Sequence, residues 1–119
     1  MQPKPSALPP EIVPAWESVK NIIQVSVPQS ELRDAILDDC AYRDEKGRKT
    51  YGVALHYKNG RNHLLDAYEE ALDSLVYIFC ASVEAIEQEL DNSEDYRRAF
   101  ALQWDQCETL RRLLDKQPM

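Results

Sequence analysis

The sequence predicts an all-α protein, a helical bundle of about four helices, on three observations. Residues 61–91 contain neither Gly nor Pro and repeat apolar side chains at helical spacing. Residues 94–116 carry a second stripe of this kind (Tyr96, Phe100, Cys107, Leu110, Leu114), with Pro118 just beyond its end. Residues 31–43 carry a third, with Leu32, Ala35, Ile36 and Cys40 on one side and Ser30 placed to cap the first turn.

Each element follows from local chemistry. Residues 1–10 hold four prolines and predict a flexible, extended arm rather than packed structure. Residues 11–25 show a weaker helical pattern (Ile12, Trp16, Val19, Ile22, Ile23), in which Pro14 is tolerated if it lies in the first turn. Pro28 stops it. Residues 44–60 contain all three glycines and lose helical periodicity, which predicts a loop with room for a short extended piece at 51–57. A loop of that length tends to be functional or disordered. Asp91-Asn92-Ser93 then separates the two long helices, 61–91 and 94–116, and makes them an antiparallel pair. Beyond the arm, residues 11–119 are expected to form one helical domain, the size that 119 residues allow.

With 44% apolar and 29% charged residues the chain has an ordinary globular composition. Its net charge of −7 argues against nucleic acid as a partner, since such modules present a basic patch. No apolar run reaches membrane-spanning length and the first residues lack a signal-type core, so a cytoplasmic protein with no membrane contact is expected. Cys40, Cys80 and Cys107 are odd in number, widely spaced and set in apolar helical patterns, which predicts buried free thiols. Trp16 and Trp104 are read as packing residues.

At 100° per residue, Leu65, Tyr68, Leu72, Leu75, Phe79, Val83, Ile86 and Leu90 form the expected core stripe of the first long helix. Asp66, Glu69, Glu70 and Asp73 cluster on another face with no basic residue among them. Asp73 lies inside 71–81, which is apolar nearly all round, and Glu70 just before it, so at least one of these two carboxylates is expected to face protein. Crowded carboxylates repel each other, and Mg²⁺ or Mn²⁺ relieves that repulsion, which makes Asp66, Glu69, Glu70 and Asp73 candidate metal ligands. Glu31, Asp34 and Asp38 form a second acidic strip, from which Asp38 is a further candidate ligand. Six of the fourteen basic residues (Arg43, Lys46, Arg48, Lys49, Lys58, Arg61) fall in or beside the expected loop, and Lys49, Lys58 and Arg61 are the candidates for phosphate contact. His63, one turn before the acids, is more simply a surface histidine than a base, and no catalytic residue is assigned.

The segment DAYEEALDSLVYIFCA, 66–81, resembles the second metal-binding helix of the all-α nucleoside triphosphate pyrophosphohydrolases, the MazG-like group. Glu70 and Asp73 occupy the positions of its ExxD pair, and Glu69 matches the preceding acid. RKTYGVALHYKNGR, 48–61, is similar to a YG…NGR lead-in of small phage and prophage proteins placed near that group. The group's EExxE motif on the preceding helix has no counterpart beyond Glu31-Leu-Arg-Asp34. The resemblance implies a helical bundle, a dimer or tetramer, that holds Mg²⁺ and cleaves a nucleoside triphosphate to monophosphate and pyrophosphate. The other expectation is a non-enzymatic, phage-type helical regulator that oligomerises through 71–81 and binds a partner or nucleotide without hydrolysis.

Overall fold

The structure, a computed structural model, describes residues 2, 4 and 6–118. It is all-α as expected: helices α1 (Ala15–Ser26), α2 (Glu31–Tyr51), α3 (His63–Glu87) and α4 (Ser93–Asp115), with no strand among the described residues. The chain divides into two compact units, Met1–Arg61 and Asn62–Met119.

In the first unit α1 packs on α2. Pro14 stands at the N-cap, just outside the first turn, where its missing N–H costs nothing. The Ala15 N–H, one of the donors every helix start leaves over, reaches the Leu55 carbonyl at 2.7 Å. Ser30 caps α2 as the sequence predicts, its side chain accepting from the Arg33 N–H at 3.0 Å.

The expected loop at 44–60 is corrected over its first half, because α2 runs on to Tyr51. A glycine inside a helix costs about 1 kcal/mol, too little to stop one at Gly47 when its neighbours are strong helix formers. Asp44 pairs with Arg48 at 2.9 Å and Glu45 with Lys49 at 3.1 Å, both one turn apart. The Asp44 hydrogen bond, followed by its charge, raises the Arg48 guanidinium above its ordinary pKa. The helix stops at Gly52, which takes the left-handed conformation (φ 76°) while its N–H caps the Arg48 carbonyl at 2.8 Å. A Cβ at Gly52 would meet nothing within 4 Å, so the substitution is penalised through the backbone alone. Gly52→Ala should therefore cost about 1–2 kcal/mol in a urea titration of the chain.

No strand forms at 51–57, yet the segment after Gly52 alternates: Ala54 and His56 are buried, Leu55 and Tyr57 exposed. The proline-rich arm docks on it. The Ser6 N–H donates to the Asn59 carbonyl at 3.0 Å, the Ser6 hydroxyl to the Lys58 carbonyl at 3.2 Å, and the His56 ring to the Ser6 carbonyl at 2.9 Å. Met1, Pro3 and Pro5 of that arm lie outside the described residues.

In the second unit α3 and α4 form the expected antiparallel pair. Asn62 caps α3, its side chain accepting from the Leu65 N–H at 3.0 Å. The turn at the far end closes through Leu90 N–H to the Ala85 carbonyl at 3.0 Å, with Glu89 in the left-handed region (φ 59°). The side of α3 that meets α4 differs from the expected core stripe. Ala71 and Ala85 are buried there, and Tyr68, Leu75, Ile78 and Ser82 are half-buried around them. Leu72, Phe79, Val83, Ile86 and Leu90, placed in the core by the sequence pattern, remain exposed. The α4 stripe holds better: Cys107 is buried and Tyr96, Leu110 and Leu114 are half-buried, though Phe100 and Trp104 are exposed. Among the described residues no helix is long and apolar enough to cross a membrane.

Candidate functional site

The four candidate acids of α3 occupy its first three turns. Asp66 sits in the first turn, where a carboxylate favours the helix N-terminus, and is half-buried. Glu69, Glu70 and Asp73 are exposed, so the expectation that Glu70 or Asp73 would face protein is not met. Burial leaves 71–81 apolar on its other sides while the carboxylates point to water. None of these three is engaged by a hydrogen bond or ion pair among the described residues. The helix as a whole contains six acids (Asp66, Glu69, Glu70, Asp73, Glu84, Glu87) and neither Lys nor Arg. Nothing on α3 offsets their repulsion.

Whether these residues suit a divalent cation depends on kind and on convergence. Carboxylate oxygens are the donors Mg²⁺ prefers. Among the described residues, however, no three His, Cys, Asp or Glu side chains group to hold a metal by themselves. Acids on one helix face lie about 5–6 Å apart at Cβ and splay outward. What α3 offers is pairs of carboxylates, and that matches the commoner Mg²⁺ mode of one or two carboxylates completed by waters and substrate phosphates.

The remaining candidates are distributed along the first unit. Asp38 is exposed on α2. Asp34 lies 3.4 Å from Arg33. Of the phosphate-contact candidates, Lys49 is on α2 and ion-paired to Glu45, not in a loop. Lys58 lies over the Tyr57 ring, 5.7 Å from its centre, an exposed cation–π contact. The Arg61 N–H donates to the Asn59 side-chain oxygen at 3.1 Å. His63 opens α3 and is exposed. The three cysteines are free as expected, but only Cys40 and Cys107 are buried; Cys80 is exposed.

Helical periodicity does not reveal the most buried polar side chains, His56 (0% exposed) and Asn59 (1% exposed). A carbonyl can only accept, so His56 carries a proton on Nε2 toward Ser6, and in the neutral ring Nδ1 is then an acceptor. That Nδ1, and the Asn59 Nδ2 donor, are buried without a hydrogen-bond partner. The only signal for this node is the alternation of Ala54 and His56 followed by the Asn59-Gly60 turn, where Gly60 takes φ 83°. Comparisons with protein-family models, with curated proteins and with solved structures find no match to this chain.

Proposed function

We propose that the chain is a Mg²⁺-dependent nucleoside triphosphate pyrophosphohydrolase-like protein, working as a homo-oligomer, with Glu69, Glu70 and Asp73 as its metal-binding acids. The observation that carries this reading is the set of unengaged carboxylates, repeated one turn apart on a helix with neither Lys nor Arg. A face kept only for solubility would be expected to mix the two signs of charge. Here the acids remain available to a cation that arrives with the phosphates of a nucleotide. Bound there, the metal would supply charge neutralisation and an activated water for the attack on the phosphate chain. The acids themselves hold and orient that complex. Asp66, engaged at the helix N-terminus, is a helper rather than a principal ligand.

The other reading, a non-enzymatic helical interaction protein, is favoured by one observation of its own. No three ligating side chains converge among the described residues, while much of the apolar surface of α3 is exposed. A thermal-melt screen of nucleoside triphosphates with Mg²⁺ or Mn²⁺ separates the two. A ligand at a hundred times its dissociation constant adds about 2.7 kcal/mol, a rise of roughly 10 °C in a domain of this size. The rise should require both metal and nucleotide. If no nucleoside triphosphate moves the melt with either metal, the enzyme reading fails and the interaction protein stands.

A further inference from the structure

Along α3, Leu72, Val76, Phe79, Val83 and Ile86 follow one another at spacings of four, three, four and three. That is the a/d repeat of a helix seam, kept for two heptads. All five are exposed, Val76 at 58% and Ile86 at 70%, as is Leu90 in the turn just beyond the helix. The seam that faces α4, through Ala71, Leu75, Ile78, Ser82 and Ala85, lies about 90° round the same helix. A helix with two apolar seams a quarter-turn apart is the helix of a four-helix bundle, which packs against two neighbours. α4 supplies one of them.

The second seam does not end at α3. Phe79, Ile86 and Leu90 line an open cleft of about 420 Å³ whose other wall is Tyr96, Arg97 and Phe100 of α4, and beyond the cleft the exposed Trp104 follows Phe100 one turn along α4. The α3–α4 pair thus presents a two-helix apolar face, half of a bundle. At roughly 100 Å² for each of its half-exposed side chains, the face offers on the order of 800 Å², about what one partner brings to a standard interface. The area argues for a second copy, since each of two such faces supplies one side of a standard interface. Charge permits it: α3 has six acids and neither Lys nor Arg, and α4 places Arg97 on the cleft wall, although α4 as a whole carries five acids to its four arginines and Arg97, Arg111 and Arg112 pair with Glu94, Asp115 and Glu108 of the same helix.

We infer that this face is where a second copy of the chain docks, its own α3–α4 pair closing a four-helix bundle with α4 of one copy set against α3 of the other. The inference deepens the homo-oligomer part of the proposed function by assigning the face, and it needs neither nucleotide nor metal. A two-fold arrangement uses the same face twice and caps it, which is how an apolar patch of this size avoids open-ended association.

The test is the mass of the full chain by light scattering at micromolar concentration, without Mg²⁺ and without nucleotide. The wild type should run as a dimer. Val76→Glu and Ile86→Glu, which place a charge in the seam at exposed positions, should each raise the dissociation constant at least 100-fold while circular dichroism stays helical. Leu102→Glu is the control: Leu102 is 59% exposed, on the side of α4 away from the face, and its variant should remain a dimer. A wild-type monomer at that concentration overturns the inference, whether an element of the same chain covers the face or it stays bare. So does a dimer that survives both seam variants, or one lost equally in Leu102→Glu. Loss of nucleotide-dependent stabilisation with the dimer intact would count against the enzyme reading alone.

Discussion

Glu70→Gln and Asp73→Asn should each abolish Mg²⁺-dependent release of pyrophosphate from a nucleoside triphosphate and leave the metal-free melting temperature unchanged or slightly raised. The two halves of this result come from one fact, that both side chains are exposed and unengaged. Each substitution keeps the side-chain shape and removes one charge. In the metal-free protein Glu70 faces Asp66 one turn before it and Asp73 three residues on, so neutralising it relieves repulsion of about 0.2–0.5 kcal/mol per pair. With the nucleotide complex the sign reverses, because a metal held by so few protein carboxylates loses a large share of its protein ligands when one is neutralised. A loss of 10³-fold or more in turnover is expected from that. Calorimetry with Mn²⁺ and a nucleotide supplies the second readout, and binding should weaken in parallel. Variants that hydrolyse as the wild type does, or a wild type that shows no metal-dependent hydrolysis at all, would remove the acidic strip from consideration as a site.

The helices were legible where periodicity and punctuation agree. For α3 and α4 the apolar repeat, the absence of Gly and Pro, and the polar break at Asp91-Asn92-Ser93 all point the same way, and the pair forms with ends shifted by only a few residues. Gly47 misleads because the i,i+4 pairs Asp44–Arg48 and Glu45–Lys49 carry the helix across it. The facing of α3 departs from its apolar pattern for a different reason. Hydrophobic periodicity detects that a face is apolar, and α3 is apolar over two adjoining faces. Which of them α4 covers is decided by fit: the small side chains of Ala71 and Ala85 let the helices approach, and the large residues are left outside. The acidic strip was visible as a charge pattern. Its exposure was not, because a pattern reports which residues share a face and is silent on what lies opposite. His56 and Asn59 were invisible for the simplest reason: what buries and anchors this node includes Ser6, fifty residues upstream of His56, and no local spacing encodes that pairing.

His56→Ala should destabilise the first unit by about 2–4 kcal/mol, the largest effect on stability that the structure predicts for one side chain. His56 is fully buried, so truncation leaves a cavity as well as a lost contact. It also removes the donor to the Ser6 carbonyl, a hydrogen bond of 2.9 Å worth about 0.5–1.5 kcal/mol net. Ser6 then keeps only its N–H to Asn59 and its hydroxyl to Lys58. His56→Phe separates the two contributions. It restores most of the volume and replaces the unpartnered Nδ1 by carbon, so it should cost less than alanine even though it too lacks the donor. Native-state hydrogen exchange reads the local consequence, since the Ser6 and Ala15 amides both hydrogen-bond to the 55–59 segment. Both should be protected in the wild type and should exchange faster in His56→Ala, with the α3 and α4 amides unchanged. A Ser6 amide that exchanges equally fast in wild type and variant, or an alanine variant no less stable than the phenylalanine one, would mean that His56 does not hold the arm to the segment after Gly52.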